Sequence, residues 1–165
     1  MPGSSALPYQ VRVQVQAEDF NVQAELEALR RLPNGDWNGK IGAVASFIGT
    51  VRDLNEGTDV ARMVLEHYPG MTEKSIEAII DQAEARWPLL GVRVVHRIGA
   101  LLPADQIVLV AVASAHREAA LEACAFIMDY LKSKAPFWKK ESTPDGERWV
   151  DARVSDAAAL QRWSS

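Results

Sequence analysis

Three features of the sequence predict an α+β fold. Several short segments alternate apolar and polar residues, as half-buried strands do. Two longer segments carry apolar residues at helical spacing, and a late Pro-Asp-Gly turn signals a hairpin. In order, Val11, Val13 and Val15 alternate with Gln10, Arg12 and Gln14, giving a strand over 9–16. Residues 23–32 read as a short helix on Leu26 and Leu29, closed by Pro33, and 34–39 as a loop. A strand over 41–48 delivers Gly49-Thr50-Val51-Arg52, followed by a polar loop at 53–59 and a strand over 60–67. Thr72 is expected to cap a helix through Trp87 that buries Ile76, Ile79, Ile80 and Ala83 and stops at Pro88. Strands follow at 92–98 and 106–113. The second is apolar from Ile107 to Val112, which predicts a central position. Ser114 is expected to cap a helix over 115–132, with Leu121, Cys124, Met128 and Leu131 at core spacing. Residues 137–141 and 147–150 pair as a hairpin, and 155–163 form a short terminal helix. With no internal repeat, residues 1–165 are expected to make one domain.

Composition narrows the class of function. Apolar residues at 48% and charged residues at 24% are ordinary for a globular chain. No apolar run approaches the roughly 20 residues that span a bilayer, and the first eight residues lack the pattern of a secretory leader. The single cysteine, Cys124, fits a reducing cytoplasm and cannot form an internal disulfide. One Cys and three dispersed His give no metal-ligand spacing, so no metal and no cofactor are expected. A net charge of −4 argues against nucleic acid as a partner.

Against that background, residues 132–140 stand out. Lys132, Lys134, Lys139 and Lys140 lie there with no acid among them, so a chain of −4 carries −8 elsewhere. Pro136, Phe137 and Trp138 interrupt the charge, and the aromatics are expected to anchor the segment to a core. Pro136 ends the helix and turns the chain into a strand, so Lys132 and Lys139 could converge on one pocket. Two neighbouring ammonium groups favour loss of a proton from one of them, the property of a general acid or base. The alternative is that Lys132 only complements its helix dipole. Ser114-Ala115-His116-Arg117 places two basic residues where a helix start favours acids, so it reads either as an anion site or as a solvated turn balanced by Glu118. Gly49-Thr50-Val51-Arg52 reads either as a phosphate-approach turn or as an ordinary one. Cys124 reads as a core residue, His96 as a satisfied structural histidine, and Trp87 and Trp163 as packing residues. Arg148 and Arg153 flank Trp149, and either could add a positive wall to the pocket.

Taken in order, these segments resemble the large, catalytic subunit of molybdopterin synthase, the MoaE family. The resemblance is carried by Phe47-Ile48-Gly49-Thr50-Val51-Arg52, Leu65-Glu66-His67-Tyr68-Pro69-Gly70-Met71, His96-Arg97-Ile98-Gly99, Ser114-Ala115-His116-Arg117 and Tyr130-Leu131-Lys132. It continues through Ala135-Pro136-Phe137-Trp138-Lys139-Lys140-Glu141 and Arg148-Trp149-Val150-Asp151-Ala152-Arg153. It implies an α/β-hammerhead-type fold with an antiparallel sheet, flanking helices and a C-terminal hairpin. It also implies a homodimer within a heterotetramer, each end holding a small ubiquitin-like sulfur carrier with a C-terminal Gly-Gly thiocarboxylate. The implied reaction is sulfur transfer to cyclic pyranopterin monophosphate, giving the dithiolene of molybdopterin in the cytoplasm. The implied catalytic residues are Lys132 and Lys139. The implied substrate-binding residues are Thr50, Val51, Arg52, His116, Arg117, Lys140, Glu141 and Arg153, some supplied by the second protomer. Two departures are visible: Ala104 stands where a glycine is expected before Asp105, and Lys140 where arginine is frequent. Two other readings are a docking module that binds the tail without catalysis and a small RNA-binding domain, the latter disfavoured by the acidic balance.

Overall fold

The computed structural model describes residues 11–52, 54–55, 58–59, 62–143, 146–150 and 158–164, with backbone alone at 54–55, 58–59, 141–143 and 147–150. The elements are β1 Val13–Gln16, α1 Val22–Leu29, β2 Ala43–Thr50, β3 Leu54–Asn55, β4 Thr58–Asp59, β5 Arg62–His67 and α2 Met71–Arg86. They continue with β6 Leu89–Arg97, β7 Gly99–Leu101, β8 Gln106–Ser114, α3 Arg117–Lys134, β9 Phe137–Thr143 and β10 Gly146–Val150, before a terminal 3₁₀ turn at Leu160–Trp163. The result is the α+β architecture expected, with two four-stranded sheets ordered β1-β6-β8-β2 and β10-β9-β5-β7. Every pairing is antiparallel except β1 with β6.

Strand β8 explains its own composition. Val108, Val110 and Val112 face the core that α2 and α3 close with Ile76, Ile80, Ala83, Phe126 and Ile127. Leu109, Ala111 and Ala113 face the opposite side, where Phe20 and Leu29 cover them. Both faces are dry, so the usual alternation disappears. On β6 the same alternation turns Val92 and Val94 towards α2 and α3, and Arg93 the other way. Arg93 is buried there, donating to Glu25 at 2.8 Å and to the Val11 carbonyl at 2.9 Å, so its charge is compensated.

Several element boundaries differ from expectation for identifiable reasons. Helix α1 stops at Leu29 rather than 32, because the backbone beyond it bonds into the loop: Asn38 N–H donates to the Arg30 carbonyl and Leu32 N–H to that of Asp36, both at 2.7 Å. The stretch expected as a polar loop at 53–59 contains the small β3–β4 ladder, Leu54 opposite Asp59 and Asn55 opposite Thr58. Helix α2 is capped by Gly70, whose N–H donates to Glu73 Oε1 at 2.8 Å, and Thr72 lies inside the helix. Ser114 does not cap α3; it ends β8 and its Oγ donates to the Pro88 carbonyl at 2.9 Å, leaving His116 at the cap position. Gly42 permits that crowded junction, since a Cβ there would overlap the carbonyl oxygen of Ala115. The expected hairpin is present as β9–β10; its turn residues 144–145 lie outside the described residues, as do 151–157. Among the described residues, no helix is long and apolar enough to cross a membrane.

Candidate functional site

The site is built around the corner at Pro136. Lys132 and Lys134 occupy the last turn of α3, and Ala135 leaves the helix in extended conformation. Thr72 pins the corner. Its hydroxyl, wholly buried, accepts from the Tyr68 N–H at 2.9 Å and donates to the Pro136 carbonyl at 3.0 Å. One side chain thereby ties the end of β5, the start of α2 and the turn between α3 and β9. Beyond the corner, β9 runs between β5 and β10, with Lys139 opposite Leu65 and Val150, and Lys140 opposite Val64 and Trp149. Strand alternation puts Phe137 and Lys139 on one face and Trp138 and Lys140 on the other. Phe137 packs against the main core, as expected of an anchor, but Trp138 does not: it is 47% exposed. Lys132 is exposed, whereas Lys139 and Lys140 are half-buried.

Under the corner lies His96, on the face of β6 that looks towards α3. Its ring stacks on Phe137 with centroids 3.9 Å apart and planes 19° from parallel. Nδ1 donates to the Arg97 carbonyl at 2.8 Å, which fixes that nitrogen as the protonated one of a neutral ring. Burial pushes the imidazole down to about 4, and the positive charges of Lys132 and His67 push the same way against that hydrogen bond. The expected satisfied histidine is therefore found, and it lies close enough to Lys132 to feel its charge.

The remaining candidates divide between two ends of the molecule. Thr50 and Arg52 are exposed at the end of β2, and Thr50 pairs with Gln106 at the start of β8. Val51 between them is buried with Met63, Leu65 and Leu101, so its side chain packs. His116 and Arg117 are exposed at the start of α3, where β8 ends. Helix α3 then runs back along β8 and β2, so Lys132 shares the Thr50–Arg52 end while Arg117 lies about 22 Å of helix rise away. Glu141 is described in backbone only, opposite Met63 and Arg148, and Arg153 lies outside the described residues. Cys124 is buried; burial raises its thiol to about 11, and Sγ points at the Val110 carbonyl at 3.8 Å. A thiol held neutral is no nucleophile.

Thr72 and His96 are the supporting residues that sequence reasoning did not assign to the site. Nothing local could have revealed Thr72, whose acceptor is 64 residues away.

Such an arrangement defines an α+β protein with exposed and half-buried lysines gathered about one corner, a buried thiol and, among the described residues, no group of side chains that could hold a metal. Comparison with known proteins then gives the family. The family model for the MoaE protein matches residues 15–134. The molybdopterin synthase catalytic subunit of Ralstonia nicotianae is 61% identical over 151 residues, covering 92% of this chain and 83% of that one. The molybdopterin biosynthesis MoaE protein from Burkholderia ambifaria superimposes with a TM-score of 0.79 at 57% identity, covering 94% of this chain and 99% of that one. A chain from the protein–protein complex of subunits 1 and 2 of the molybdopterin-converting factor of Helicobacter pylori shares the fold, with a TM-score of 0.68 at 18% identity, covering 86% of this chain and 91% of that one. The chain belongs to the MoaE family, the catalytic subunits of molybdopterin synthase. It is an enzyme of molybdenum cofactor biosynthesis, and its kind of reaction is sulfur transfer.

Proposed function

We propose that this chain moves sulfur from the C-terminal Gly-Gly thiocarboxylate of a small ubiquitin-like subunit onto cyclic pyranopterin monophosphate, twice, to build the dithiolene of molybdopterin. The observation that carries the reading is the Pro136 corner, which joins the helix end bearing the exposed Lys132 to the strand bearing the half-buried Lys139. A thiocarboxylate and a cyclic phosphate are both anions, and ammonium groups at a partly desolvated corner stabilise charge that develops as the phosphate ring opens. Lys132 and Lys139 are the catalytic residues in this reading, binding the two anions and moving protons between them. Arg52 and Lys140, with Thr50, Val51, Glu141 and Arg153, belong to the substrate site, Val51 through its backbone.

His116 and Arg117 cannot reach Lys132 within one chain, given about 22 Å of intervening helix. We therefore assign them to the site of a second copy, so that a homodimer completes each pocket and a small subunit at each end makes a heterotetramer. The complex named for the Helicobacter pylori protein supports the small partner. The chain acts as a single domain in the cytoplasm, where a lone reduced cysteine is at home. Replacing either Lys132 or Lys139 by alanine should lower product formation at least about 100-fold in the reconstituted enzyme. Full activity of Lys132→Ala would reject the catalytic assignment and leave a docking role.

A further inference from the structure

His96 is a polar residue on a face otherwise given to Val92 and Val94, and the reaction as proposed has no use for it. Only 7% of it is exposed, so it is not a ligand-facing group. Its neighbours define what it does instead. One edge is tied back to its own strand through the Arg97 carbonyl, and β6 itself is held on both sides, with Val15 and Val108 opposite His96. One ring face lies flat against Phe137, the first residue of β9 and the residue paired with His67. The imidazole is thus one contact through which the first sheet supports the start of the second. Lys139 is two residues further on and on the same face as Phe137, about 7 Å along the strand.

We propose that His96 is a positioning residue for the lysine pair: its ring, fixed at Nδ1 and stacked on Phe137, sets where β9 begins and so where Lys139 stands relative to Lys132. The inference rests on the proposed roles of those lysines. A flat ring suits the task, because it presents a broad face to Phe137 and holds no charge beside Lys132. The Nδ1–H bond orients the ring, and the stack on Phe137, which a phenylalanine would keep, carries the positioning. Misplacing a reacting group by about 1 Å can cost on the order of 100-fold in rate.

The test uses the full reconstituted synthase, with kcat and KM measured separately for His96→Ala, His96→Phe and Lys132→Ala. His96→Ala is expected to lower kcat about 10-fold or more while KM stays within about threefold, and His96→Phe, which keeps the stack, to recover kcat to within about threefold of wild type. A wild-type kcat in His96→Ala, or a His96→Phe as slow as His96→Ala, overturns the positioning role. If Lys132→Ala is fully active, the reading of the lysines fails first and the positioning role with it. If Lys132→Ala is inactive and His96→Ala normal, only the positioning role fails. Should His96→Ala not fold, Phe137→Leu removes the same stack from the other side. It is expected to show the same loss of kcat, and an unchanged kcat would overturn the proposal.

Discussion

Acid should destabilise this protein through one identifiable group. His96 is buried with an imidazole held down at about 4 against an ordinary 6.5, first by loss of solvent and then by the charges of Lys132 and His67. A base whose folded pKa is lowered stays neutral in the fold while the unfolded chain takes up the proton. Its contribution is complete above pH 6.5, shrinks as the pH falls from 6.5 to about 4, and is gone below. A gap of about 2.5 pH units at 1.36 kcal/mol each corresponds to about 3 kcal/mol. The perturbation is His96→Phe, which keeps an aromatic ring on Phe137 but cannot titrate. Urea unfolding at half-unit steps from pH 7 to pH 3.5 should show wild type losing about 3 kcal/mol more than the variant between pH 6.5 and 4. Asp19 does not confuse the comparison. Its carboxyl is held below its usual range by hydrogen bonds from Gln106 and the Phe20 N–H, so its contribution is lost at lower pH and equally in both proteins. Parallel curves for the two proteins would refute the reasoning.

Three further outcomes follow from particular contacts. Thr72→Val keeps shape but strips the Tyr68 N–H and Pro136 carbonyl of their shared partner; at about 1–3 kcal/mol per unsatisfied group, stability should fall by about 2–6 kcal/mol in urea melts and activity should fall with it, whereas a neutral result would show that the corner is held by other contacts. Ala104 holds a φ of 78°, a left-handed conformation that costs a residue with a Cβ, so Ala104→Gly should raise stability by up to about 1 kcal/mol without changing turnover, and a loss of stability would contradict the strain. Cys124, raised to about 11 by burial, should resist alkylation by iodoacetamide at pH 8 in the native state and react on unfolding, and Cys124→Ala should retain turnover; rapid native labelling would contradict its burial.

What could be read from the sequence, and what could not, divides along the range of the interactions. The all-apolar Ile107–Val112 run foretold a strand covered on both faces, because burial on two sides leaves its mark on every residue of the run. Pro136 between two lysine-bearing segments foretold a corner, because proline ends a helix whatever lies around it. The glycine that the family resemblance implied at position 104 fits the positive φ found there, although the local residues gave no sign of it. Partners distant in sequence were not legible. Thr72 and Ser114 both look like helix caps, yet each hydroxyl bonds a carbonyl from another element. Trp138 looked like an anchor beside Phe137, but alternation along β9 can bury only one of the two. The parallel pairing of β1 with β6 joins segments some eighty residues apart, for which the alternation of Val13 and Val15 gave a strand but no partner. Of the candidate site, the helix end and strand that carry Lys132 and Lys139 were legible because they are close in sequence. The placing of His116 and Arg117 at the other end follows only once α3 is seen to run back along β8.

The most direct test of the account mixes the pure protein with a small subunit carrying a C-terminal thiocarboxylate and with cyclic pyranopterin monophosphate. Molybdopterin should form with the wild-type chain and fall at least about 100-fold with Lys132→Ala or Lys139→Ala. No product from the wild-type chain, under conditions in which another member of the family is active, would contradict the assignment of substrate and sulfur donor.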